Sequence, residues 1–316
     1  MICSNSSKVS SASTQACDQV RTHFQNKGNQ LIDSPAHAKG IILTGTFTPS
    51  AEAAKLSTGP HFNNPSTPVW VRFSNSTGIP NIPDIDPNAD PRGIAIRFQL
   101  GNRKHTDIVS HSVPFFPTRT GAEFLEFLRA IASSPPDAEH PNNVEKFVGS
   151  HPSTLAFVQA PKPPPKSYGT QQYFSVTAFK LIDADGKETF IRYHIVPDAG
   201  VETYDAETVK SRDADYLQTE IQERVKAAPI GFKILAQVAE EGDITDDATV
   251  HWPESRKVVE LGSFKLDGVL EDQAANQKYV IFDPIPRVEG VGPSDDPLLE
   301  MRAALYLLSG KQRRAA

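Results

Sequence analysis

An α+β fold is what this sequence predicts, and three observations carry the prediction. Several runs are rich in β-branched residues and broken by Pro, Asn and Gly, one hairpin is closed by glycine, and two segments space their apolar residues at the helical period of about 3.6. Taken in order, residues 1–20 are Ser-rich and polar and read as a flexible tail ahead of a single domain over 21–316. Residues 36–48 are the first strand, 68–74 the second and 93–100 the third. Within 68–74 the two-residue period sends Val69, Val71 and Phe73 to one face and Trp70, Arg72 and Ser74 to the other. The first face is core. The second, an aromatic, a cation and a hydroxyl, suits either the wall of a polar cavity or water.

Between 121 and 132, Phe124, Leu125, Leu128 and Ile131 mark an amphipathic helix. Residues 174–182 and 189–196 are strands joined through Asp183-Ala184-Asp185-Gly186, whose glycine supplies the positive φ of a tight turn. Residues 213–228 are helical, with Leu217, Ile221 and Val225 on one stripe, and 231–238 return to the sheet as a strand. The last element spans 297–309: Asp296 is a good N-cap, Pro297 fits the first helical position, and Gly310 closes the helix. Pro-rich 80–91 and 160–168 are stiff, extended connections, and neither separates two compositions.

With 316 residues and 38% hydrophobic content, the chain can bury a substantial core. A net charge of −6 and the lack of a long basic run speak against a nucleic-acid track, so small or neutral partners are expected. No apolar run reaches the roughly 20 residues that span a bilayer, and residues 1–19 lack the apolar centre of a signal peptide. The expected location is the cytoplasm, or the periplasm where a leader has been removed. Cys3 and Cys17 are the only cysteines, which offers neither a disulfide framework nor a cysteine metal site.

At helical spacing Arg302 and Tyr306 share a face, so a fixed cation favours the anionic phenol, the form in which tyrosine binds ferric iron. The same spacing also describes a tyrosine packed over an arginine stem. The nine histidines show none of the spacings of a zinc site. His37 differs by context, in Ala36-His37-Ala38-Lys39-Gly40, where small neighbours leave its ring room; a satisfied strand histidine fits that context too.

Together the ordered motifs resemble the catalases and their smaller relatives, the catalase-related haem peroxidases. His37-Ala38-Lys39-Gly40 resembles the segment of the distal histidine, residues 67–74 the second strand, and Asp90-Pro91-Arg92-Gly93 the stretch that follows it. Residues 178–186, with Arg192-Tyr193-His194, resemble the family's hairpin. Phe282-Asp283-Pro284, Gly290, residues 293–297 and the Arg302/Tyr306 pair resemble the approach to its proximal tyrosine. The resemblance covers most of the chain. It implies an antiparallel β-barrel of eight strands with flanking helices, and a haem, expected to be haem b, inside that barrel. His37 would stand above the iron and Tyr306 below it as the ligand. Arg302 would keep that ligand deprotonated, Ser74 would fix the His37 ring, Arg72 and Arg313 would pair with the propionates, and Phe115 would contact the cofactor. For Arg313, a solvated cation complementing the helix dipole is an equal reading.

Three departures from the family pattern set the expected activity. The distal asparagine falls at Ser110, His111 or Ser112, with His111 the nearest positional match. The arginine usual three residues before the distal histidine is Ser34. The sequence ends ten residues past Tyr306, without the extension of large catalases, which leaves the pocket open to organic reductants and bulky hydroperoxides. The expected function is a haem peroxidase that decomposes hydrogen peroxide or organic hydroperoxides through a ferryl intermediate, using an external organic electron donor, with weak or no catalase activity. His37, Ser74 and His111 are its expected catalytic set. A true small catalase, a fatty-acid hydroperoxide isomerase and a non-catalytic haem-binding barrel are the alternatives, and homo-oligomerisation is left open.

Overall fold

The computed structural model describes residues 37–135 and 137–315. The polar tail, Cys3, Cys17 and Ser34 lie outside the described residues. Ten strands form one antiparallel sheet: β1 (Gly40–Pro49), β2 (Thr67–Ser74), β3 (Gly93–Gln99), β4 (His105–His111), β5 (Tyr173–Phe174), β6 (Phe179–Ile182), β7 (Glu188–Pro197), β8 (Ile230–Val238), β9 (Val258–Val269) and β10 (Val291–Pro293). Eight of them close on themselves in the order β1, β2, β3, β4, β5, β7, β8, β9 and back to β1. β6 and β10 extend the sheet beside β7. The longer helices are α1 (Gly121–Ala132), α2 (Asn143–Ser150), α3 (Pro152–Gln159), α4 (Tyr216–Ala227), α5 (Gln273–Tyr279) and α6 (Pro297–Ala315). The eight-stranded barrel with flanking helices is as expected. Among the described residues no helix is long and apolar enough to cross a membrane.

Strand alternation fills the barrel. Ile41, Leu43, Val71, Phe73, Ile94, Ile96 and Phe98 point inward and are buried together with Phe232 and Phe264. Phe73 stacks on Tyr168 with ring centroids 5.5 Å apart, and Phe232 on Phe264 at 5.2 Å. The candidate residues Arg72 and Ser74 of β2 and His111 of β4 occupy the alternate positions, on the face away from these core side chains.

Several element boundaries differ from the sequence reading: the first strand, expected from 36, begins at Gly40, and the helix expected from 213 begins at Tyr216. The strand expected over 174–182 is broken between β5 and β6, where the Ser175 hydroxyl accepts from the Tyr193 amide at 2.8 Å and so replaces a backbone rung. The last helix does not stop at Gly310 but runs through it to Ala315. Gly310 serves there as a point of close approach, since a side chain would collide with Ile281.

A buried polar knot ties together the three backbone segments that lead into the site. Lys39 Nζ lies 2.8 Å from Asp84 Oδ1 and 2.6 Å from Asp215 Oδ1. Asp84 also accepts from Asn75 Nδ2 at 2.7 Å and from the Leu217 amide at 2.9 Å, while Asn75 Oδ1 accepts from Arg92 at 2.6 Å and from the Tyr168 hydroxyl at 2.8 Å. Asp84 is fully buried, so Asp84→Ala leaves the Asn75 and Leu217 donors unpaired and takes one of two carboxylates from Lys39. The variant is expected to lose about 3 to 5 kcal/mol of stability, read from its denaturant midpoint.

His61 is 2% exposed, with its ring 3.9 Å from Phe62 and 4.6 Å from Phe98 between centroids. Burial pushes its pKa down to about 3. The folded ring stays neutral while the unfolded chain takes up a proton near pH 6.5, so stability falls as the pH drops from about 6.5 toward 3. His61→Phe is expected to remove roughly 2 to 3 kcal/mol of that acid destabilisation at pH 4.5, measured by unfolding at pH 7 and 4.5.

Candidate functional site

The strand registers lay out a grid on the outer wall of the barrel. One row runs Gly40, Ser74, Gly93 and His111 across β1 to β4, and the next runs Ile42, Arg72, Ala95 and Val109. The two glycines make a recess. A Cβ at Gly93 would lie 2.8 Å from His37 Nδ1 and from Ser74 Oγ, and one at Gly40 would lie 2.7 Å from the Arg72 guanidinium carbon. His37 sits just ahead of β1, at φ 55°, a left-handed conformation that costs a non-glycine residue roughly 1 to 2 kcal/mol. Two backbone bonds hold it there, from the His37 amide to Ser76 O at 3.0 Å and from the Ala38 amide to Thr77 O at 2.9 Å. His37 Nδ1 is 3.0 Å from Ser74 Oγ. Burial, and then the charges of Arg72 and Arg302, push the His37 pKa down to about 4, so the ring is neutral at neutral pH.

Of the three positions open for the distal asparagine, only His111 faces this recess. Ser110 points inward and is buried, and the Ser112 hydroxyl accepts from the Arg92 amide at 2.9 Å. The Val113 amide donates to His111 Nδ1 at 3.2 Å. Burial, with the neighbouring His37 and Arg302, pushes the His111 pKa down to about 3. A neutral ring that accepts at Nδ1 carries its hydrogen on Nε2, and that atom is buried without a partner among the described residues. The aromatic ring beside His111 is Phe116, at 6.5 Å between centroids. Phe115 instead packs against Phe157 at 6.2 Å and His251 at 6.3 Å.

α6 supplies the opposite side. Asp296 caps it by accepting from the Leu298 amide at 2.9 Å. One turn apart, Arg302 Nε stands 3.4 Å from the Tyr306 hydroxyl, and the guanidinium lies 5.8 Å from that ring's centroid. The charge of Arg302 contributes to the lowered pKa of both His37 and His111, so its guanidinium lies within electrostatic reach of the two imidazoles.

Arg72 and Arg313 meet through a residue that sequence reasoning missed, Gln277 of α5. Arg72 Nε donates to Gln277 Oε1 at 2.8 Å and Nη2 to Ala38 O at 3.1 Å. Arg313 donates to Gln277 O at 2.7 Å and to Val280 O at 3.0 Å. Burial, and then the Arg313 charge, push the Arg72 pKa down to about 10. Among the described residues neither arginine has a carboxylate within ion-pair distance, and Arg313 Nε is buried without a partner. Two cations that repel each other with donor capacity to spare suit a ligand carrying two carboxylates. No group of three or more His, Cys, Asp or Glu among the described residues could cage a bare metal ion. The donor set therefore fits haem: a phenol oxygen for ferric iron, imidazoles on the other face and an arginine pair for the propionates.

A family model described as Catalase matches residues 13–316. The catalase-related peroxidase of Mycolicibacterium paratuberculosis is 32% identical over 302 residues, covering 95% of this chain and 94% of that protein. That of Synechococcus elongatus is 30% identical over 280 residues, covering 88% and 82%. The crystal structure of a fungal catalase has the same fold at a TM-score of 0.80 and 20% identity; it covers 94% of this chain, which spans 62% of that one. On the family model and the two peroxidase relatives, the chain belongs to the catalase family.

Proposed function

We propose that this protein is a haem peroxidase, which reduces hydrogen peroxide or an organic hydroperoxide with electrons from an organic donor. The observation that carries the reading is a pair of buried, neutral imidazoles, His37 and His111, beside Gly93 and within electrostatic reach of Arg302. Haem, when bound, supplies the iron at which the peroxide bond is broken. Tyr306 would hold that iron, Arg302 would set a fixed positive charge against the phenol, and Arg72 and Arg313 would hold the propionates. In the tautomer whose Nδ1 donates to Ser74 Oγ, His37 keeps a lone pair on Nε2. There it takes the hydroperoxide proton and returns it to the departing oxygen, which leaves as water or an alcohol. His111 is the other tautomer, and its Nε2–H donates to a peroxide oxygen and orients it.

An imidazole in place of an amide takes more room and holds its hydrogen further from the wall. That favours one peroxide per turnover over the second peroxide needed for dismutation. His111→Asn is expected to raise the ratio of oxygen evolution to donor oxidation by about tenfold, and His111→Ala to lower both rates by about tenfold or more. The reading is lost if wild-type enzyme evolves oxygen from peroxide at full rate and oxidises no organic donor.

A further inference from the structure

We propose that the hollow beside Tyr306 is the docking site of the electron donor, and that the donor is a small uncharged phenol or aromatic amine; this rests on the peroxidase reading above. The hollow measures about 270 Å³ and is walled by Tyr306 and Leu307 of α6, Tyr279 at the end of α5, Asp283, and Arg97 and His105 on the outer face of β3 and β4, with aliphatic groups between them. A dry cavity of about 150 Å³ accepts benzene, so this one takes a single substituted ring. Its mouth is apolar, with Tyr279 63% and Leu307 56% exposed. A larger hollow of about 460 Å³, near Asp198, Arg224 and Lys265, touches no residue of the site.

Charge decides the ligand class. Arg97 is already engaged: it binds Asp107 through two bonds of 2.9 and 2.7 Å, donates to Ile281 O and lies 5.1 Å from the Phe282 centroid. Asp283 accepts from Arg287 at 2.9 Å and from the Ile285 amide at 2.9 Å. Neither charge calls for a charged ligand. His105 is different, since its side chain is 39% exposed and its Nε2 stands 3.9 Å from the Asp107 carboxylate, which leaves the imidazole able to accept a phenolic O–H or an anilinic N–H.

Position supplies the function. A ring in this hollow touches the phenol proposed to bind the iron, so an electron leaving the donor crosses one tyrosine. Each donor loses one electron and its O–H proton, the proton passing to His105 and on to water. Two donors are oxidised per hydroperoxide reduced, and the exchange balances as ROOH + 2 ArOH → ROH + H2O + 2 ArO•.

The test uses the holoenzyme and guaiacol. Leu307→Trp fills the hollow from an exposed position, and His105→Leu removes its acceptor without filling it. In each variant, guaiacol titrated against the resting haem spectrum without peroxide is expected to bind about tenfold more weakly. The ratio of guaiacol oxidation to oxidation of ferrocyanide, an ion too highly charged for the hollow, is expected to fall by the same factor. An unchanged titration and unchanged ratio in both variants overturn the site, as does an equal loss with both donors. Wild-type enzyme that consumes peroxide but oxidises neither donor instead overturns the peroxidase reading itself.

Discussion

Tyr306→Phe protein should fold normally and come out of purification with no more than about a tenth of the wild-type haem content, since loss of a direct ligand exceeds the 10- to 100-fold affinity cost typical of outer-shell changes. The substitution removes one oxygen from a half-buried ring. The Asp296 cap and the close approach of Gly310 to Ile281, which hold α6 in place, are untouched. Fold and cofactor retention are thus separable: circular dichroism reports the first, and the haem-to-protein absorbance ratio the second. Protein that keeps full haem and an unaltered spectrum would sink the assignment of Tyr306 as the iron ligand.

His37→Ala should behave in the opposite way, keeping its haem while losing peroxide turnover by roughly 100-fold or more. Nothing in the arginine pair or α6 depends on the imidazole, which contacts Ser74 and the recess at Gly93. The pH dependence follows from the same ring. Because the His37 pKa is pushed down to about 4, the base is unprotonated from pH 8 to about pH 5, and kcat/KM for peroxide should be flat over that range. Below about pH 4 it should fall tenfold per unit as the ring takes up a proton. A variant that retains turnover, or a wild-type profile that already falls between pH 7 and 6, would remove His37 from the mechanism.

How much of this was legible beforehand depended on whether a residue's role was local. α1 was readable to its ends because its apolar spacing is regular and Thr120 with Glu123 forms a capping box. β4 carried no such signal: its inward residues are Thr106, Ile108 and Ser110, so hydrophobic alternation is missing although the pairing is complete. β9 was hidden for another reason, a register shift where Gly262 takes φ 147°, which breaks the two-residue period in mid-strand. In the site, Arg302 and Tyr306 were visible because one helix turn relates them. The choice among Ser110, His111 and Ser112 needed the β3 to β4 register, and Gln277 became visible only once α5 packed between two arginines. The same alternation that marked Phe73 as core placed Arg72 and Ser74 on the opposite face of β2.

The two faces of that wall carry different side chains. Toward the proposed reaction the grid shows mostly hydrogen, methyl and hydroxyl groups, from Gly40, Ser74, Gly93, Ala95 and Val109, and the described residues include no cysteine. The oxidisable rings of Tyr168 and Tyr173 lie behind it, sealed in the lumen. Trp70 and Tyr306 are oxidisable rings left on the near side, and one β-sheet's thickness separates that side from Tyr168 and Tyr173.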